Sequence, residues 1–120
     1  MRLCDVLALT QAQLISPNVN PNVEVHAGFA ADLMSDALRY DLSGALLVSG
    51  LANHQVVRTA EMADVAAILM VRGKIPPPET LELADEVGIP FLGTELTMFE
   101  TCGRLLSAGL PPCKRCNGYR

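Results

Sequence analysis

The chain has 120 residues, half of them hydrophobic, with 4% aromatic side chains and no tryptophan; this length holds one aliphatic core and favours packed α/β layers over a sandwich built on large rings. A net charge of −4 without a clustered basic run argues against nucleic acid as a partner. The longest apolar stretch, Val65 to Val71, is far shorter than the ~20 residues of a membrane-crossing helix, so no membrane partner is expected.

The opening "MRLCDVLALT" reaches Asp5 at once and lacks the apolar region of an export leader, so a cytoplasmic protein with reduced thiols is expected. Leu3 to Leu9 reads as a short helix, Gln13 to Ile15 as a possible strand, and "SPNVNPN" (Ser16 to Asn22) as a turn-rich loop. From His26 to Thr94 one phrase repeats: an apolar run, a glycine, then a helical pattern. Gly28, Gly50, Gly73 and Gly93 recur at intervals of 22, 23 and 20 residues, close to one βα unit each.

"VEVHAGF" (Val23 to Phe29) alternates and suits an outer strand. "ALLVSG" (Ala45 to Gly50) and "VAAILMVRG" (Val65 to Gly73) are continuously apolar, as strands covered on both faces are. "IPFLGT" (Ile89 to Thr94) is a third run, with Pro90 suited to a sheet edge or strand start.

Between the runs lie helical patterns. Asp32 precedes "LMSDALR", in which Leu33, Met34, Ala37 and Leu38 share a face; Asn53 suits the N-cap of "HQVVRTAEM"; and "PPPETLELADEVG" has prolines at its start and Gly88 as its stop, with Leu81, Ala84 and Val87 as its stripe. The last helix opens on a capping box, Thr97 and Glu100. Its apolar positions Phe99, Cys102, Gly103 and Leu106 recur at i, i+3, i+4, i+7, which predicts a core-facing stripe ending at Gly109, Pro111 and Pro112. The expected fold is α/β, a three-layer sandwich with a mostly parallel sheet of four to five strands flanked by helices. The domain is expected over residues 1–110, with a cysteine-containing tail over 111–120.

"LCDVLAL", "AGFAADLMSDAL" and the long stretch from "SGLANHQVV" through "MVRGKIPPPETLELADEVGIPFLGTELTMFETCGRL" together resemble the DRTGG domain family over roughly residues 3 to 108. The Asp-Arg-Thr-Gly-Gly string itself is absent. Related domains stand before the catalytic domain of HPr kinase/phosphorylase, within some phosphotransacetylases and beside CBS pairs. The resemblance implies an α/β sandwich, self-association as a homodimer, and a regulatory or interaction role without catalysis. Short versions of the family accompany iron–sulfur and hydrogenase proteins, which implies a protein partner in a redox or signalling system.

Ligands of open α/β sheets lie beyond the carboxyl ends of the strands. The residues expected there are Gly28 with Asp32, Ser49 and Gly50 with Asn53 and His54, Arg72 with Gly73 and Lys74, and Gly93 with Thr94. Helix-start N–H groups with Arg72 or Lys74 suit a small anion such as a nucleotide. The competing reading is that the glycines only permit turns and the polar residues only cap helices. There is no G-x-x-x-x-G-K-[ST] loop, and no nucleophile is placed beside a base, so no catalytic residue is assigned. His26 reads as a structural histidine inside a strand. Asp32 with Asp36, and Glu79, Glu82 and Glu86, read as solvated helix faces.

Cys113 and Cys116 close the chain in "CKRCNG". A thioredoxin-type pair needs its first cysteine at a helix start, which the preceding prolines do not supply. One zinc-ribbon knuckle provides two thiolates where a structural zinc takes four. Two tails of a homodimer, or Cys4 and Cys102 from within the chain, could complete the set, and a half site also suits an iron–sulfur cluster. Cys102 reads as a small core residue, and a tail without any ligand is the remaining alternative.

Overall fold

The structure is a computed structural model that describes residues 1–16 and 19–116. Pro17 and Asn18 of the Ser16–Asn22 loop, and residues 117–120 of the tail, lie outside it. Helix α1 (Leu3–Thr10) leads to strand β1 (Gln13–Leu14). Then follow β2 (Gly28–Ala30), α2 (Met34–Ala37), β3 (Leu46–Ser49), α3 (His54–Met62), β4 (Ala67–Met70), α4 (Pro78–Val87), β5 (Phe91–Gly93) and α5 (Met98–Ser107). The strands form one five-stranded sheet in the order β1-β5-β4-β3-β2. β2 to β5 run parallel in sequence order, and β1 pairs antiparallel with β5 (Gln13 with Gly93, Leu14 with Leu92).

The continuously apolar runs form the sheet's centre because each face needs its own set of side chains. Leu47, Ile68, Met70 and Phe91 point to one side, packing with Met34, Val56, Val57, Ala60, Leu83 and Ala84 from α2, α3 and α4. Leu46, Val48, Ala67, Leu69 and Leu92 point to the other, against Leu3 and Val6 of α1 and Leu105 of α5. Helices on both sides of one sheet make the three-layer α/β sandwich. No helix among the described residues is long and apolar enough to cross a membrane.

Local details depart from the sequence expectations for identifiable reasons. The strand expected over Val23–Phe29 is confined to Gly28–Ala30. Before it the chain is held by single bonds: Leu3 N–H to Val23 O, Val25 N–H to Met1 O, and His26 N–H to Gly44 O. His26 is exposed on this irregular segment and not a buried strand residue. Pro90 precedes β5, meeting the strand-start alternative, while the edge beyond β5 is filled by β1. α2 is a single turn, and only Met34 and Ala37 of its expected face are buried; Leu33 and Leu38 are exposed. In α4 the buried residues are Thr80, Leu83 and Ala84, with Leu81 and Val87 half-buried at the margin.

The largest correction is in α5. Its cap is as expected, with Thr97 Oγ1 accepting from Glu100 N–H at 3.2 Å. Yet Thr101 and Leu105 are the buried residues, and of the stripe expected to face the core only Cys102 packs against it: Phe99 is 91% and Leu106 63% exposed, and Gly103 is exposed. Residues 111–116 are not a loose appendage either. Gly28 N–H donates to Pro111 O (2.8 Å), Cys113 N–H to Gly28 O, Asp41 N–H to Lys114 O and Cys116 N–H to Arg39 O, so the segment lies along the free edge of β2.

Candidate functional site

The loops after β2, β3 and β4 meet beyond the carboxyl ends of the strands. Because these strands run in unbroken order, no reversal of strand order opens a crevice between them. A charged cluster occupies the junction instead. Asp32, two residues past β2, turns its carboxylate toward the loop after β3. Oδ1 accepts the Gly50 N–H at 2.7 Å and the Ser49 hydroxyl at 3.4 Å, and Oδ2 lies 3.6 Å from the Arg72 guanidinium. Ser49 Oγ in turn accepts from Leu51 N–H at 3.1 Å.

Two backbone features shape the cluster. A Cβ at Gly50 would run into the Arg72 guanidinium, so the side chain lies over the loop only because the position is glycine. Arg72 itself has φ 59°, left-handed backbone that costs a non-glycine residue on the order of 1–3 kcal/mol. The Arg72 and Asp32 side chains are 41% and 52% exposed, and an ion pair this open is worth about 0–1 kcal/mol. The Asp32 carboxylate thus sits on three donors, one backbone N–H, one hydroxyl and one guanidinium.

The other expected site residues are placed differently. Gly28 lies in β2, where its carbonyl and N–H tie the 111–113 segment. Asn53 caps α3, its Oδ1 accepting Gln55 N–H at 2.9 Å. His54 Nδ1 is 3.0 Å from Thr80 Oγ1, linking the starts of α3 and α4. Thr94 is buried; its hydroxyl donates to Thr10 O at 2.6 Å and accepts from Leu96 N–H, which fastens β5 to α1. Gly73 (φ 67°) turns the chain beside Arg72, against the Glu95 carboxylate. Glu95 was not singled out from sequence, since nothing in "GTEL" marks it. Of the expected set, Asp32, Ser49, Gly50 and Arg72 converge, while Asn53, His54 and Thr94 serve the scaffold. Glu79, Glu82 and Glu86 lie exposed on α4, the solvated face expected of them.

The cysteines do not gather. Cys4 is on α1, Cys102 packs beneath α5 with the core on that side, and Cys113 packs against the opposite core. All four are free thiols, and among the described residues no three His, Cys, Asp or Glu side chains cluster as metal ligands. Burial, with Asp41 nearby, pushes the Cys113 thiol up to about 11, and burial also raises Cys102. The donor set of one chain does not fit a four-ligand zinc or an iron–sulfur cluster. A hollow of ≈570 Å³ beside Cys116, bordered by Tyr40, Met62 and Lys114, lies toward the amino ends of the strands, away from the Asp32 cluster.

No protein-family model matches the chain, and no curated protein does. Among solved structures, it is similar to the CBS and DRTGG domains of the regulatory region of Clostridium perfringens pyrophosphatase, complexed with the activator diadenosine tetraphosphate. The match has a TM-score of 0.71 at 19% identity and covers 97% of this chain and 51% of that one. The fold is CBS/DRTGG-like. At that identity the likeness establishes architecture alone, and the chain spans about half the length of the structure it matches. The similar region is regulatory, not catalytic.

Proposed function

We propose that the chain is a non-catalytic regulatory domain that works as a homodimer and senses a small anionic ligand, a nucleotide phosphate, at the Asp32–Gly50–Arg72 cluster. The observation that carries the reading is the Asp32 carboxylate itself. It sits where an anion belongs, on a backbone N–H and a guanidinium, and it is held weakly enough at its Arg72 end to be exchanged. A phosphate taking its place keeps every donor satisfied and releases Asp32, and with it the single turn of α2, from the loop after β3. Binding is thereby coupled to a shift of a short exposed element, which a protein partner can read. That the similar region takes diadenosine tetraphosphate as its activator makes polyphosphate nucleotides the first class to try.

Isothermal titration calorimetry with diadenosine tetraphosphate and ATP tests this reading on three proteins. The wild type is expected to bind. Arg72→Gly, which suits the left-handed backbone, is expected to weaken binding roughly ten- to hundredfold, the worth of a charge-assisted hydrogen bond. Asp32→Asn, which removes the competing charge but keeps an acceptor for Gly50 N–H, is expected to tighten it. Absence of binding in all three, or affinities indifferent to both substitutions, overturns the reading.

A further inference from the structure

The segment after α5 carries a motif that neither the fold nor the anion cluster uses, the C-x-x-C of Cys113 and Cys116. Its backbone bonds leave on two sides. Pro111 O and Cys113 N–H turn to Gly28 on the edge of β2, whereas Lys114 O and Cys116 N–H turn to Asp41 N–H and Arg39 O. Odd positions bond one neighbour and even positions the other, with no turn or bend between them, which is the pattern of an extended strand. Residues 111–116 are thus a short strap held between β2 and the segment that follows α2.

That geometry keeps the two thiols apart. At ~3.3 Å per residue the Cα atoms of Cys113 and Cys116 stand about 10 Å from one another, and side chains three positions apart leave a strand on opposite faces. A disulfide needs Cα atoms within about 7 Å and side chains that point at each other. The docked strap therefore excludes the bond that a C-x-x-C spacing permits in a turn. Packing adds to the exclusion: Cys113 lies against the core, and burial, with Asp41 nearby, raises its thiol to about 11, which leaves little thiolate to attack.

We propose that residues 111–116 are a thiol-controlled strap, docked on β2 while Cys113 and Cys116 are reduced and released when a small-molecule disulfide oxidises the pair to an intramolecular disulfide. The Cys116 thiolate, beside the ≈570 Å³ hollow, attacks one sulfur of the small disulfide and expels a first thiolate. Once the strap lifts, the Cys113 thiolate attacks Cys116 Sγ and expels the second. The pair gives up two electrons and two protons, and the small disulfide departs as two thiols. The closed ring fixes a turn where the docked strap is straight, so Gly28, Arg39 and Asp41 lose their strap partners together. Release bares the edge of β2, whose backbone groups are then open to an added strand. No step uses Asp32, Gly50 or Arg72, so the strap stands or falls separately from the anion reading.

Hydrogen exchange of the full chain, followed by amide resonances in reduced and in oxidised glutathione, tests the proposal, with peptide mass mapping to identify the sulfur bonds. In the oxidised buffer a Cys113–Cys116 disulfide is expected. The Gly28, Asp41 and Cys116 amides are expected to exchange at least about tenfold faster than in the reduced chain, with Leu69 at the centre of the sheet unchanged. Cys116→Ser, which keeps the strap but cannot close the ring, is expected to exchange alike in both buffers. A Cys113–Cys116 disulfide with Gly28 and Asp41 still protected overturns the proposal, as does absence of that disulfide in excess oxidised glutathione. Acceleration that reaches Leu69, or that persists in Cys116→Ser, also overturns it, because the strap is then not what the disulfide releases.

Discussion

Cys113 shows how position, more than spacing, decides what a residue does. Its C-x-x-C partner suggests thiolate chemistry, but residues 111–113 bond to Gly28 and lay the side chain against the core. Burial, and then the nearby Asp41, raise this thiol from its ordinary 9.0 to about 11 in the folded chain. The unfolded chain therefore loses its proton first, so the contribution of this group is complete below about pH 9 and is lost as the pH rises toward 11. Urea unfolding is expected to show stability falling across that window in the wild type, and falling less steeply in Cys113→Ala. Equal slopes contradict the burial of the thiol. Thr94 is the parallel case among the expected ligand residues. With its hydroxyl committed to Thr10 O and Leu96 N–H, Thr94→Val is expected to cost roughly 1–3 kcal/mol in the same unfolding experiment. Calorimetry is expected to find its ligand affinity unchanged; a normal stability with lost binding would return Thr94 to the site.

At the scale of elements, the strands and caps were legible because their signals are local. The unbroken apolar runs at Ala45–Gly50 and Val65–Gly73 contain β3 and β4, and Asn53 and Thr97 cap the helices they precede. What was not legible is which way an amphipathic face turns. The periodicity of Phe99, Cys102, Gly103 and Leu106 is real, but a second, narrower set, Thr101 and Leu105, is what α1 and the sheet accept. A stripe looks the same in sequence whether it turns toward the core or away from it. The β2 strand was displaced for a similar reason: Val23 to Ala27 alternate as a strand does, yet β3 pairs in register only from Gly28, opposite Leu46. The candidate site was half legible. Asp32, Ser49, Gly50 and Arg72 were all named, but their convergence depends on β2, β3 and β4 lying side by side and on the left-handed turn at Arg72, neither of which a linear pattern contains.

At the scale of the whole molecule, the anion cluster and the exposed stripe of α5 lie on different layers. The anion cluster joins the loops after three adjacent parallel strands, with α2 on the side of the sheet shared with α3 and α4; the α5 stripe is on the other. Displacing Asp32 is therefore expected to change the exposed α2 side of the molecule and to leave α5, across the sheet, as it is. The central claim, that an anion exchanges with Asp32 on the Gly50 and Arg72 donors, is tested most directly by titrating isotopically labelled protein with diadenosine tetraphosphate and following its amide resonances. The expected result is that the Gly50 amide, which loses one acceptor and gains another, shifts most, together with Ser49, Arg72 and residues 32–37. Spectra that do not change, or shifts centred on the Cys116 hollow with Gly50 unmoved, would contradict it.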